Sequence, residues 1–173
     1  MTYIAPRPFE WNHCGTCGKR LEYAHDGERE RPYCSDCNRH YYRNPVPACC
    51  VFVSDSENRL LFAKRAVEPC IGRWAFPGGF MELNETGEQC ALRELAEETG
   101  LIGENARLLG VRVSQSADKG AVLVIGYCIE KWQGTLCADS DASDLRFISR
   151  AERPDIPFEA HRALLCLYDE LNP

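Results

Sequence analysis

Residues 79–101, GFMELNETGEQCALRELAEETGL, constrain the chain more than any other stretch, because they specify a helix, both its ends and the charges it carries. Thr86-Gly-Glu-Gln89 has the form of a capping box, in which a threonine hydroxyl and a glutamine side chain each satisfy an orphaned amide at a helix start. Gly100 stands where a left-handed residue closes a helix. Ala91, Leu92, Leu95 and Ala96 recur at helical spacing and are expected to form the buried stripe. Glu94, Glu97 and Glu98 stand at i, i+3 and i+4, which sets three carboxylates on one side of the helix. Like charges at that spacing weaken an isolated helix by roughly 0.2–0.5 kcal/mol per pair. A hard divalent cation such as Mg²⁺ would turn the repulsion into ligation, since it favours carboxylate oxygens. A solvated polar face is the alternative reading.

A second constraint lies upstream. Cys14-Gly-Thr-Cys17 and Cys34-Ser-Asp-Cys37 are separated by sixteen residues, the spacing of a four-thiolate zinc site. Asp26-Gly27 between them is a turn signal, so a short hairpin is expected. His13 and His40 flank the cysteines, and with four thiolates at hand they are expected to stay out of the metal's coordination. Zinc ribbons often bind nucleic acid, which takes a basic face. Residues 13–40 hold five Lys/Arg and five Asp/Glu, so a structural role is expected, with metal replacing a core this segment is too small to build. A formal net charge of −6 argues against a general affinity for nucleic acid or anionic membrane.

The N-terminal residues carry no apolar core of signal-peptide type. Ala121–Ile129, the longest nearly apolar run, falls far short of the roughly 20 residues a membrane helix needs. The eleven cysteines therefore read as metal ligands and reduced thiols of a cytoplasmic protein rather than as a disulfide framework.

Tyr41–Pro47, with two prolines, reads as an extended linker. Beyond it, strands are expected at Ala48–Val53, Arg59–Arg65, Ala106–Val113, Ala121–Ile129 and Leu145–Ile148, and a helix at Phe158–Leu171. The glycines of Pro77-Gly78-Gly79 let backbone approach a ligand closely. Strand and helix signals mix without a regular βαβ repeat, which points to an α+β fold with a mixed sheet covered by helices. The expected domains are an N-terminal arm and zinc ribbon over residues 1–44 and a larger domain over 45–173.

Gly79, Glu85, Arg93-Glu94-Leu95, Glu97-Glu98 and Gly100-Leu101 occupy every specified position of the pattern G-x5-E-x7-R-E-U-x-E-E-x-G-U, with U a bulky apolar residue. On these residues the chain resembles the Nudix hydrolases. The paired CxxC, the Tyr42–Pro45 link and Arg73-Trp-Ala-Phe-Pro-Gly-Gly79 make it similar to the subgroup with an N-terminal zinc ribbon, which includes NADH, FAD and ADP-ribose pyrophosphatases.

The resemblance implies an α/β/α sandwich with a mixed sheet. It implies a hydrolase that cleaves the pyrophosphate of a nucleoside diphosphate linked to another moiety, with ADP-ribose, FAD or NAD(H) as leading substrates and AMP as product. Mg²⁺ or Mn²⁺ would be held by Glu94, Glu97, Glu98 and the carbonyl of Gly78, alongside the structural Zn²⁺. Glu97 is the candidate base, Arg93 and Glu85 the pair that braces the box, and Asp144 a further acid. Arg65 and Arg73 are candidates for phosphate contact. A homodimer is also implied. NADH-hydrolysing relatives carry a proline and aromatic residues after a Ser-Gln pair; here Ser114-Gln115-Ser116-Ala117-Asp118-Lys119 keeps only the pair. That moves weight toward ADP-ribose or FAD. The alternatives are a non-catalytic ligand sensor on a Nudix fold and a pyrophosphatase of NAD caps or nucleotide sugars; the complete box favours an enzyme.

Overall fold

A computed structural model describes residues 11–116, 120–139 and 141–173. Two compact units emerge: the chain up to Pro45 together with Gln115–Ala121, and Val46–Ser114 together with Val122–Pro173.

In the first unit, β1 (Glu22–His25), β2 (Glu30–Cys34) and β3 (Arg39–His40) form an antiparallel sheet. The expected hairpin turns at Asp26-Gly27, where the Asp26 carboxylate accepts the amides of Glu28 and Arg29, both at 2.9 Å. Its buried cluster is small: Cys14, Cys34 and Tyr41, with Trp11, Leu21 and Cys37 packed against it. Such a core is too meagre to hold a fold without a metal or another staple.

The second unit is built on β4 (Val46–Val53), β5 (Leu60–Arg65), β6 (Trp74–Ala75), β7 (Leu101–Gly103), β8 (Arg107–Ser116) up to Ser114, β9 (Gly120–Ile129) from Val122, β10 (Trp132–Gly134) and β11 (Ala142–Ile148). β4 runs parallel to β9, which also neighbours β8, whereas β5 lies antiparallel between β11 and β6. These pairings fall in two three-stranded sheets, β4–β9–β8 and β11–β5–β6, so parallel and antiparallel pairing are mixed in the unit, as expected. α1 (Gly87–Thr99) and α2 (Glu159–Leu171) complete the unit. Residues 48–53 of β4 are all buried because both faces of the strand are covered. Cys49, Val51 and Val53 join Ala91 and Leu95 of α1, while Cys50 and Phe52 join Ala160 and Leu164 of α2. This is the expected helix–sheet–helix sandwich. The short pair β7 and β10 was not foreseen, because three residues are too few to show a strand period.

The capping box forms as expected: Thr86 Oγ1 accepts from the Gln89 amide and Gln89 Oε1 accepts from the Thr86 amide. Gly100 closes α1 at φ 72°. The buried stripe is displaced, however. Cys90, Ala91, Leu95 and Thr99 are buried, together with Glu98, while Leu92 is half-buried and Ala96 exposed. The helix is rotated so that Glu98, not Ala96, faces inward. No helix among the described residues is long and apolar enough to cross a membrane.

His161 of α2 lies between the rings of Phe158, at 5.2 Å, and Phe76, at 6.0 Å, with its Nδ1 buried and without a hydrogen-bond partner. Burial, helped by the positive charge of Arg65, pushes its pKa down from 6.5 to about 4. The unfolded chain thus takes up the proton first, and stability falls as pH drops from about 6.5 toward about 4. The loss attributable to this group is on the order of 3 kcal/mol. Urea unfolding between about pH 7 and about pH 4.5 should show a shallower acid decline for His161→Phe than for wild type.

Candidate active site

The site is assembled where α1 meets the loop that follows β6. That loop runs antiparallel to β4: the Cys49 amide donates to Gly79 O, the Val51 amide to Pro77 O and the Met81 amide to Pro47 O, at 2.8, 2.8 and 3.1 Å. Gly78, between two carbonyls committed to β4, turns its own amide the other way, to Glu98 Oε2 at 2.9 Å. Each glycine answers a separate demand. A Cβ on Gly78 would sit 2.1 Å from the Cys49 carbonyl oxygen, and its φ of 149° disfavours an L side chain. A Cβ on Gly79 would sit 2.4 Å from Glu94 Oε1. The loop thus presents bare backbone to two of the three glutamates.

Glu98 is only 8 % exposed. Burial raises its pKa to about 7, aided by the charges of Glu94 and Asp141 and opposed by the Gly78 amide and Arg65. Burial raises Glu94 as well, against the pull of Arg93. Glu97 stays open to solvent, its side chain 58 % exposed. Arg93 ties the group together. Its Nε and Nη2 donate to the two oxygens of Glu85 at 3.0 and 2.7 Å, its Nη1 to Glu94 at 2.7 Å and Glu97 at 3.0 Å, and Nη2 also to Phe80 O at 3.1 Å. The guanidinium holds Glu85 well below the usual carboxylate range, at about 2. The expected brace is a bidentate pair that also offsets the repulsion between Glu94 and Glu97.

The three glutamates share a side of α1, but their oxygens are not drawn into one tight cluster. Among the described residues, only Cys14, Cys17, Cys34 and Cys37 bring three or more such ligand atoms within 4.8 Å of one another. The glutamates nonetheless fit a hard cation: a buried carboxylate, a second partly buried one and an exposed third are oxygen donors, and Glu94 and Glu97 share a single guanidinium, that of Arg93, which Glu85 also engages.

The other expected residues are placed unevenly. The charge of Arg65 reaches Glu98, yet its guanidinium donates to the carbonyls of Val67, Glu68 and Pro69 and lies 5.3 Å from the Phe158 ring centre. Arg73 pairs with Asp155 at 2.6 Å. Asp144 pairs with Arg146 at 2.7 Å. It lies opposite Lys64, on the strand face that Arg146 shares with Phe62 and hence with the α2 core. Asp141, three residues earlier, is the acid whose charge reaches Glu98, and its carbonyl accepts the Ala66 amide at 2.7 Å. Sequence reasoning missed it, although Asp139-Ser-Asp141 forms an acidic approach to β11. Ser114, Gln115 and Ser116 end β8, and the departure from the Ser-Gln pattern at Ala117–Lys119 lies outside the described residues.

In the first unit the four cysteine sulfurs converge, with Cys14–Cys37 at 3.7 Å and Cys17–Cys34 at 3.6 Å. All eleven cysteines are free. A tetrahedral zinc with Zn–S of about 2.3 Å has sulfurs about 3.8 Å apart, whereas a disulfide needs about 2 Å. The donor set and its spacing fit zinc. His13 pairs with Arg20 in an isolated antiparallel β-bridge and the His40 ring lies tilted against Tyr33 with centroids 4.7 Å apart, both outside the sulfur cluster.

A family model described as the NUDIX domain matches residues 44–165. The chain is 35% identical over 113 residues to an ADP-ribose pyrophosphatase of Methanocaldococcus jannaschii, covering 65% of this chain and 67% of that one. It is 31% identical over 158 residues to the NAD-capped RNA hydrolase NudC of Pseudomonas aeruginosa, covering 90% of this chain and 54% of that one. The chain thus spans little more than half the length of that NudC relative. A NUDIX hydrolase structure from Nitrosomonas europaea superposes with a TM-score of 0.72 at 25% identity, covering 93% of each chain. With the box braced by Arg93, the helix–sheet–helix sandwich and these matches in agreement, the chain belongs to the NUDIX family.

Proposed function

We propose that this protein is a divalent-metal-dependent pyrophosphatase that cleaves a nucleoside diphosphate linked to another moiety, with ADP-ribose, FAD or NAD(H) as substrate and AMP as product. The observation that carries the reading is the buried Glu98 carboxylate held by the Gly78 amide, beside Glu94 and Glu97 on a helix braced by Arg93. The relatives support it, one being an ADP-ribose pyrophosphatase and another an NAD-capped RNA hydrolase.

Glu94, Glu97, Glu98 and the Gly78 carbonyl would hold Mg²⁺ or Mn²⁺, with Asp141 adding charge at the place first expected of Asp144. Such a cation supplies charge neutralisation at the pyrophosphate and acidifies water. The chain's own part is positioning. Arg93 and Glu85 set the tilt of α1 against the loop. Glu97, the most open of the three, would be the base that takes a proton from water. Arg65 adds positive charge at the edge where Glu98 lies. In this reading residues 1–44 are a zinc-bound ribbon of structural role and residues 45–173 the hydrolase domain.

The reading is tested by incubating the protein with Mg²⁺ or Mn²⁺ and ADP-ribose, FAD, NADH, an NAD-capped RNA and a nucleotide sugar, scoring nucleoside monophosphate release. Turnover of ADP-ribose or FAD above the others is expected. Tight binding without turnover of any member would point instead to a ligand sensor.

A further inference from the structure

The ribbon carries a polar contact that its four cysteines do not account for. Tyr41 follows β3 and is only 8 % exposed. Its hydroxyl donates to Cys14 Sγ at 3.0 Å and accepts the Gly15 amide at 3.1 Å. The second bond fixes the first: with the amide on the oxygen's lone pair, the hydroxyl proton is left to the sulfur. The ring is fixed too, lying 5.0 Å from Trp11 and 5.6 Å from the Arg39 guanidinium. The Thr16 amide reaches the same sulfur at 3.4 Å. Cys14 therefore receives both a backbone donor and a buried side-chain hydroxyl.

We infer that Tyr41 is a positioning residue of the four-cysteine site, its hydroxyl orienting the Cys14 sulfur and stabilising the thiolate that holds zinc. This rests on the zinc reading of the four cysteines and goes beyond it. A zinc-bound thiolate keeps much of its negative charge, and a donor held at a fixed angle compensates that charge where burial removes water. The bond also ties Tyr41, the residue after β3, to a metal ligand, so the order of that residue and zinc retention become one equilibrium.

Tyr41→Phe removes the hydroxyl while keeping the ring that packs on Trp11, and Tyr42→Phe, at a neighbouring tyrosine that is 51 % exposed, serves as control. Zinc content of the purified full-length chain is measured first, then zinc affinity by competition with a chromogenic chelator. In parallel, the thiolate-to-metal charge-transfer band is recorded after cobalt substitution. The expected result is one zinc per wild-type chain and a zinc dissociation constant about ten- to a hundredfold higher for Tyr41→Phe. Its cobalt band should move to lower energy, because a sulfur without the hydrogen bond gives up charge more readily. Tyr42→Phe should match wild type in both. Equal affinity and band position in Tyr41→Phe and wild type would overturn the role of Tyr41 and leave the zinc site standing. A wild-type chain that neither carries nor takes up zinc would overturn both.

Discussion

Glu98→Gln should lower kcat by about three orders of magnitude while leaving the thermal midpoint within about 3 °C of wild type. The two halves of that expectation have separate origins. Loss of activity follows from removing a charged oxygen from the set of Glu94, Glu97 and Glu98. Retention of the fold follows from the surroundings of the side chain. Glu98 is buried, its hydrogen bond comes from the Gly78 amide, and a glutamine carbonyl accepts the same bond. A neutral amide also avoids the cost of a charge that burial already disfavours. Steady-state kinetics with saturating Mn²⁺, beside a melting curve, reads both halves. Near-normal turnover would remove Glu98 from the ligand set.

Gly78→Ala should cost about 3 kcal/mol, or roughly 10 °C in midpoint for a unit of this size. The obstruction is backbone: the new methyl would meet the carbonyl oxygen of Cys49 at 2.1 Å and the Cα of Cys50 at 2.7 Å. Both belong to β4, whose residues 48–53 are buried between two helix-covered faces, so neither yields cheaply. Gly79→Ala makes the informative contrast. Its methyl meets the Glu94 carboxylate, at 2.4 to 2.8 Å, and a side chain can swing away. That variant should stay folded and lose activity, since Glu94 leaves its place. Adjacent glycines therefore separate on melting and kinetics: the first fails to fold well, the second folds and fails to turn over.

Much of this arrangement was legible in the residues. The capping box, the Gly100 terminus and the Arg93–Glu85 pair are local, so their spacing carried through unchanged into contacts. The sulfur cluster was legible for the same reason, because paired CxxC spacing leaves few alternatives. What failed depended on geometry that spacing does not encode. Ala96 was expected inside, yet the loop around Gly78 sets the rotation of α1 and turns Glu98 inward instead. Asp144 was expected near the glutamates. A register shift between Ala142 and Asp144 inserts a residue into β11, and it leaves Asp144 on the α2 face and Asp141 nearer Glu98. Arg65 looked like a phosphate contact, but its neighbours Val67 to Pro69 turn their carbonyls onto it. Tyr41 read only as part of a linker, because the hydroxyl's partner is twenty-seven positions away.

Manganese binding followed by the loss of the free-ion electron paramagnetic resonance signal tests the central claim, that the glutamates of α1 and the Gly78 loop form a divalent-cation site. With the ribbon loaded with zinc beforehand, wild type should bind Mn²⁺ and release AMP from ADP-ribose over the same concentration range. Glu98→Gln should weaken that binding at least about tenfold and abolish the release together with it. Equal Mn²⁺ binding by wild type and Glu98→Gln, with turnover unchanged, would contradict the claim.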